Sequence, residues 1–150
     1  MKAISRILFP VDLTENSDKL VPLVVQMLQK FDAQLNILFV VRVFQYFTSI
    51  NVPPMSINVF ENELLENART KMEEFKTRHF GETFPVTAEV LLGEPSETIL
   101  GYIDDHQIDM VIMGTHGRKG IDRVIFGSVA ERVIKIAPVP VLVINPYKLA

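Results

Sequence analysis

Three stretches of this chain, QLNILFVV at 34–41, IDMVIM at 108–113 and VPVLVI at 139–144, are almost continuously apolar and rich in β-branched residues. A strand with so little polar alternation has to be covered on both faces. Between these runs the apolar residues recur at helical spacing, so the chain alternates strand-like and helix-like segments, the pattern of βα units wound around a parallel sheet. Five strands are expected, at residues 4–9, 34–41, 86–92, 108–113 and 139–145, with four helices between them. The fold class predicted is a single doubly wound α/β domain spanning residues 1–150.

The first helix runs to Phe31 with Leu20, Val24, Met27, Leu28 and Phe31 as its apolar stripe, and Thr14, Asn16 and Ser17 are its candidate N-caps. Pro22 lies inside that span, which predicts an irregular start with the cap near Asp18. The second helix covers 58–80, with Phe60, Leu64, Ala68, Met72 and Phe75 on one face, and its run of charges reads as a solvated face. Residues 42–57 have no clear period and carry Phe44, Tyr46 and Phe47, a candidate lid or partner surface. The 86–92 strand alternates more than the others, which fits a sheet edge, and Pro138 and Pro140 cannot donate ladder hydrogen bonds, which places them at an edge or at the start of the last strand. Helix segments then follow from Gly93-Glu94-Pro95-Ser96 to His106 and over 128–137.

Composition narrows the chemistry. The chain has no cysteine, which excludes disulfides, thiolate metal sites and thiol catalysis. A formal charge of −3, with basic residues interleaved among acids, argues against nucleic acid as a partner. No apolar run approaches a membrane span and none suits a signal peptide, so a cytoplasmic address is expected.

Ligands of an open parallel sheet lie outside the carboxyl ends of the strands, where the strand order reverses. Two segments compete for that place: Pro10-Val11-Asp12 after the first strand, and Gly114 to Ser128 after the fourth. Asp12 has two readings, acceptor for a ribose or adenine group and cap of its own turn. In the second segment Gly114, Gly117 and Gly127 precede a helix opened by Ser128 and Val129, with Arg118, Lys119 and Arg123 between them. Glycines allow backbone amides to approach an anion, and a helix N-terminus adds positive partial charge. Each glycine alone reads as a turn residue and Ser128 alone as an N-cap; together they make a phosphate cradle. No P-loop pattern and no G-x-G-x-x-G occurs, and the turn FPVDLTENS contains no glycine. His116 is the one acid–base candidate in the loop, whereas His79 and His106 sit at helix C-termini, where the dipole favours them.

The spacing G-2x-G-9x-G-[ST], met by Gly114, Gly117, Gly127 and Ser128, resembles that of nucleotide-binding universal stress proteins, as do Pro10-Val11-Asp12, MVIMGTHG at 110–117 and APVPVLVI at 137–144. The resemblance covers essentially the whole chain and implies the sheet order 3-2-1-4-5. It further implies that Asp12, with the Pro10 and Val11 backbone, contacts adenine and ribose, and that Val40 flanks the adenine through its main chain. Met113 and Gly114 would line the ribose, while His116, read from its place between two glycines, is a candidate to hydrogen-bond the loop backbone or the ribose. Gly117, Gly127, Ser128 and Val129 would hold the phosphates of ATP, ADP or AMP, with Mg²⁺ or Mn²⁺ bound through the phosphates; Arg118, from its charge alone, is a further candidate for the polyphosphate. It also implies a homodimer through strand 139–145 and a role in stress response. Two alternatives from the same residues are a slow ATPase or phosphotransferase in the same pocket, and a protein-docking module in which nucleotide is only structural.

Overall fold

A computed structural model of the chain describes residues 2–42, 54–115 and 127–149. The strands are β1 (Arg6–Pro10), β2 (Gln34–Arg42), β3 (Val86–Gly93), β4 (Met110–Gly114) and β5 (Val141–Ile144). The helices are α1 (Glu15–Phe31), α2 (Pro54–Phe80), α3 (Pro95–Asp105) and α4 (Ser128–Ile136). The five strands form one parallel sheet in the order β3-β2-β1-β4-β5, which puts β3 and β5 at the edges, as expected.

Period-two alternation sends each strand's side chains to two helical layers. Ile7, Phe9, Leu35, Ile37, Met110 and Ile112 pack with Leu20, Val24 and Leu28 of α1 and Ala68, Met72 and Phe75 of α2. Leu8, Leu38, Val111 and Met113 face the opposite way, onto Ile99, Tyr102 and Ile103 of α3 and Ala130 and Val133 of α4. Ile7, Leu8 and Phe9 are all fully inaccessible, as expected of a central strand buried on both faces.

Helix boundaries depart from the sequence reading in two places. α1 starts at Glu15, its cap is Thr14, whose side chain accepts from the Asn16 amide, and Pro22 lies well inside the helix. The proline is tolerated there because it is exposed, so the Asp18 carbonyl that loses an amide donor can turn to water. α2 begins one turn before the expected 58–80 span, at Pro54. Residues 43–53 of the aromatic segment, Phe44, Tyr46 and Phe47 included, lie outside the described residues.

Polar groups pin the amino end of the sheet. Asp109, 8% exposed, accepts from the Ser5 amide, the Ser5 hydroxyl and the Arg6 amide, each at 2.9 Å, and pairs with Lys2 at 3.1 Å. Burial alone would raise its pKa, but these donors outweigh that and hold it down at about 2. The two histidines at helix C-termini have tertiary partners as well as the dipole. His79 Nε2 lies 2.8 Å from Asp18, and His106 stacks on Tyr102 at 3.6 Å with Nε2 3.4 Å from Glu89.

Candidate functional site

At the carboxyl ends of β1, β2 and β4 the chain encloses a cavity of about 910 Å³. Pro10, Val11, Asp12, Val40, Met113, Gly114, Gly127, Ser128 and Val129 all line it. The structure therefore brings together segments more than a hundred residues apart, because β1 and β4 are hydrogen-bonded neighbours. His116, Gly117 and Arg118, with Lys119 and Arg123, lie outside the described residues.

Asp12 sits where β1 hands over to α1. Its Oδ1 accepts from the Thr14 amide (2.9 Å), the Thr14 hydroxyl (2.7 Å) and the Ser17 hydroxyl (2.7 Å), while its own amide donates to Ser17 Oγ at 2.9 Å. The turn-capping reading of Asp12 is therefore realised in the structure, and the cap also holds the residue at the cavity wall. Leu13 between Asp12 and Thr14 has φ 61°, a left-handed conformation that costs a side chain of this size roughly 1 kcal/mol or more. The hydrogen bonds of Asp12 are what hold that turn in place. No sequence signal marks Leu13, since the glycine or asparagine usual at such a position is absent.

The α4 end of the cavity is built around Thr115. Its amide donates to the Ile144 carbonyl at 2.8 Å, and its carbonyl accepts from the Gly127 amide at 2.8 Å. A Cβ on residue 127 would stand 2.7 Å from that carbonyl oxygen, so only glycine permits the approach. Gly127 is the N-cap of α4 and makes no side-chain cap bond, and Ser128 is the first helical residue rather than the cap. The Gly127 amide is spent on Thr115. The first-turn amides of Ser128, Val129 and Ala130 have no intrahelical acceptor and are the groups a helix N-terminus offers to an anion.

Val40 and Val41 both line the cavity but on opposite faces of the sheet, Val40 toward the α3–α4 layer and Val41 toward the α1–α2 layer. The sequence reading missed the contribution of α2: Asn67 and Lys71, one turn apart, line the cavity together with Arg42 at the end of β2. Most of the charged face of α2 is exposed as expected. Asn67 and Lys71 flank the apolar stripe at three and seven residues after Leu64, and that shoulder position was the only hint available.

A profile of the universal stress protein family matches residues 3–145. Universal stress protein MJ0531 of Methanocaldococcus jannaschii is 30% identical over 144 residues, covering 95% of this chain and 83% of that protein. MJ0577 of the same organism is 38% identical over 94 residues, 60% of this chain and 58% of that relative. The solved structure of MJ0577 superposes with a TM-score of 0.80 at 28% identity, covering 96% of this chain and 97% of that one. Two more distant structures share the fold: a universal stress protein in complex with cAMP (17% identity, TM-score 0.60) and one from Archaeoglobus fulgidus in complex with dAMP (16% identity, TM-score 0.58). They cover 97% and 96% of this chain and 99% and 100% of those chains, respectively. With the profile spanning nearly all of the sequence and the sheet order matching, the chain belongs to the universal stress protein family.

Proposed function

We propose that this chain binds an adenine nucleotide, ATP or its relatives ADP and AMP, in the cavity at the carboxyl ends of β1, β2 and β4, and works as a nucleotide-responsive regulator in the stress response. The observation that carries this reading is the meeting of Pro10–Asp12, Val40, Met113 and the glycine-capped N-terminus of α4 around one cavity. In this arrangement Val40 and Val11 flank the adenine, Asp12 and Met113 border the ribose, and the free amides and hydroxyl at the start of α4 receive phosphate. Gly127 serves by having no Cβ. Gly117 joins the phosphate side by its place in the motif, Arg118 adds positive charge there, and His116 is a candidate for a hydrogen bond to the ribose or the loop backbone. The cAMP and dAMP held by two family members agree with an adenine ligand.

Mg²⁺ or Mn²⁺ would be held through phosphate oxygens, since among the described lining residues Asp12 is the only carboxylate and its Oδ1 is engaged in its own turn. That same donor set favours binding over turnover, because phosphoryl transfer needs a positioned base and metal ligands. β5 at the sheet edge, with Ile134 and Ile136 exposed on the adjoining α4, supports self-association through residues 139–145. Among the described residues no helix is long and apolar enough to cross a membrane, and the proposed place of action is the cytoplasm.

The test is to denature the protein as purified and quantify released nucleotide by chromatography, then titrate the emptied chain with ATP and Mg²⁺. About one adenine nucleotide per chain is expected. No released nucleotide together with no binding at millimolar ATP overturns the proposal.

A further inference from the structure

The outer edge of β3 is a row of unpaired backbone groups. The Leu35 amide donates to the Pro85 carbonyl and Leu35 lies opposite Val86, which fixes the phase of the β2–β3 ladder. Thr87, Glu89 and Leu91 therefore spend their N–H and C=O groups on β2, while those of Val86, Ala88, Val90 and Leu92 point outward. Among the described residues no strand lies beyond β3, and none of its eight residues is buried. The other edge strand, β5, has four residues and follows two prolines, whereas β3 contains neither proline nor lysine to discourage pairing. Its single charge, Glu89, is held back by the Tyr102 hydroxyl at 3.2 Å and lies 3.4 Å from His106 Nε2.

The side chains along this edge divide by face. Val86, Ala88, Val90 and Leu92 pack toward the α1–α2 layer. Thr87 and Glu89 lie on the α3 side, where a polar cavity of about 300 Å³ is lined by Arg6, Gln34, Asn36, Thr87, Asp105 and His106. That cavity attracts cations. α3 ends there at Asp104 and Asp105, both exposed, with no basic residue in its last turn, so two carboxylates add to the negative end of the helix dipole. Among the described residues neither aspartate has an ion-pair partner. The opposing charges are His106 when protonated and Arg6, whose guanidinium donates to the His106 carbonyl and to Gln107 Oε1, both at 3.3 Å. Arg69 and Lys76 belong to α2, across the sheet, and Arg42 stands at the far end of the edge, opposite Gly93.

We propose that the β3 edge is a docking site for an extended segment of another protein, apolar on one side and basic on the other, which adds as a sixth strand. Its backbone pairs with Val86, Ala88, Val90 and Leu92, and its apolar side chains continue the sheet face beneath α2. A lysine or arginine on the other side crosses Thr87 to the carboxylates of Asp105 and Glu89. A second copy of β3 is the poorer occupant, because the strand has one acid and no base and so offers Glu89 no cation. The surface lies at the opposite end of the sheet from the nucleotide cavity and is independent of that reading.

The experiment titrates the ¹⁵N-labelled full chain with two acetylated, amidated peptides, Val-Lys-Val-Lys-Val-Lys-Val and its counterpart with glutamate for lysine. The lysine peptide is expected to bind with a dissociation constant of about 1 mM or tighter. It should slow hydrogen exchange at the Ala88, Val90 and Leu92 amides and leave those of Thr87, Glu89 and Leu91, already bonded to β2, little changed. The glutamate peptide should bind about fivefold or more weakly, and Glu89→Gln/Asp105→Asn should narrow that gap. Val90→Pro removes one outward amide without touching the β2 ladder and should weaken the lysine peptide about fivefold or more; a melting curve checks that it folds, and the wild-type exchange pattern stands without it. No binding of the lysine peptide at about 5 mM overturns the docking site, as does binding that leaves the outward amides unprotected. Equal affinity for the two peptides overturns it as well. Self-association of the free chain that Val90→Pro abolishes gives the edge to a second copy and overturns the proposal too.

Discussion

Replacing Gly127 by alanine and Ser128 by alanine separates architecture from ligand binding at adjacent positions. The added methyl at 127 meets the Thr115 carbonyl oxygen at 2.7 Å, where ordinary contact begins near 3.4 Å. The neighbour is backbone, tied by the Thr115 amide to Ile144 at 2.8 Å, so relief requires moving the end of β4 against β5 or the start of α4. Overpacking of this kind costs about 1–3 kcal/mol, and alanine is a poorer N-cap than glycine by a further ~0.5 kcal/mol. For a chain of this size the melting temperature falls roughly 2–4 °C per kcal/mol, so Gly127→Ala should melt roughly 3–14 °C lower. Ser128 is exposed and makes no cap bond, so Ser128→Ala should melt within about 0.5 kcal/mol of the wild type. Its effect falls on ligand: loss of one hydrogen bond to a charged phosphate, about 1.5–3 kcal/mol, is roughly a 10–150-fold weaker dissociation constant for ATP. Calorimetric melting and isothermal titration of both variants read the two effects. An unchanged melting temperature for Gly127→Ala refutes the close-approach argument, and an unchanged ATP affinity for Ser128→Ala removes its hydroxyl from the site.

Asp109 predicts the acid limb of stability. Its folded pKa of about 2 lies below the ordinary carboxylate value, so its contribution is complete above about pH 4 and is lost as pH falls toward 2. The loss is on the order of 1–2 kcal/mol, and thermal melts of Asp109→Asn should lack that part of the pH dependence; parallel acid limbs for both proteins count against it. At β5, the Pro140 and Ile144 carbonyls accept from β4, so the N–H of Val143 points to the open edge. Val143→Pro should leave the β4 ladder intact and convert the proposed dimer to a monomer in analytical ultracentrifugation; a wild type that is monomeric, or a variant still dimeric, rules out pairing through this strand.

The fold class and even the edge positions were legible in the sequence, because burial on two faces writes itself as continuous apolar runs and burial on one face as alternation. Prolines 138 and 140, which cannot donate to a ladder, fitted an edge or the start of a strand, and they stand just before β5 at the sheet edge. The spacing of Gly114, Gly127 and Ser128 likewise marked one wall of the cavity, and at Gly127 a backbone that must approach closely can carry no Cβ. What stayed hidden depended on contacts between distant segments. Pro22 looked like a helix breaker because its solvent exposure is decided by how α1 lies on the sheet. Only the tertiary structure showed that the Gly127 amide is spent on Thr115, that Leu13 is held left-handed by the hydrogen bonds of Asp12, and that α2 lends Asn67 and Lys71 to the cavity. Local sequence records which residues must be buried or must be small, whereas the partner each polar group meets is set by strand order and helix placement.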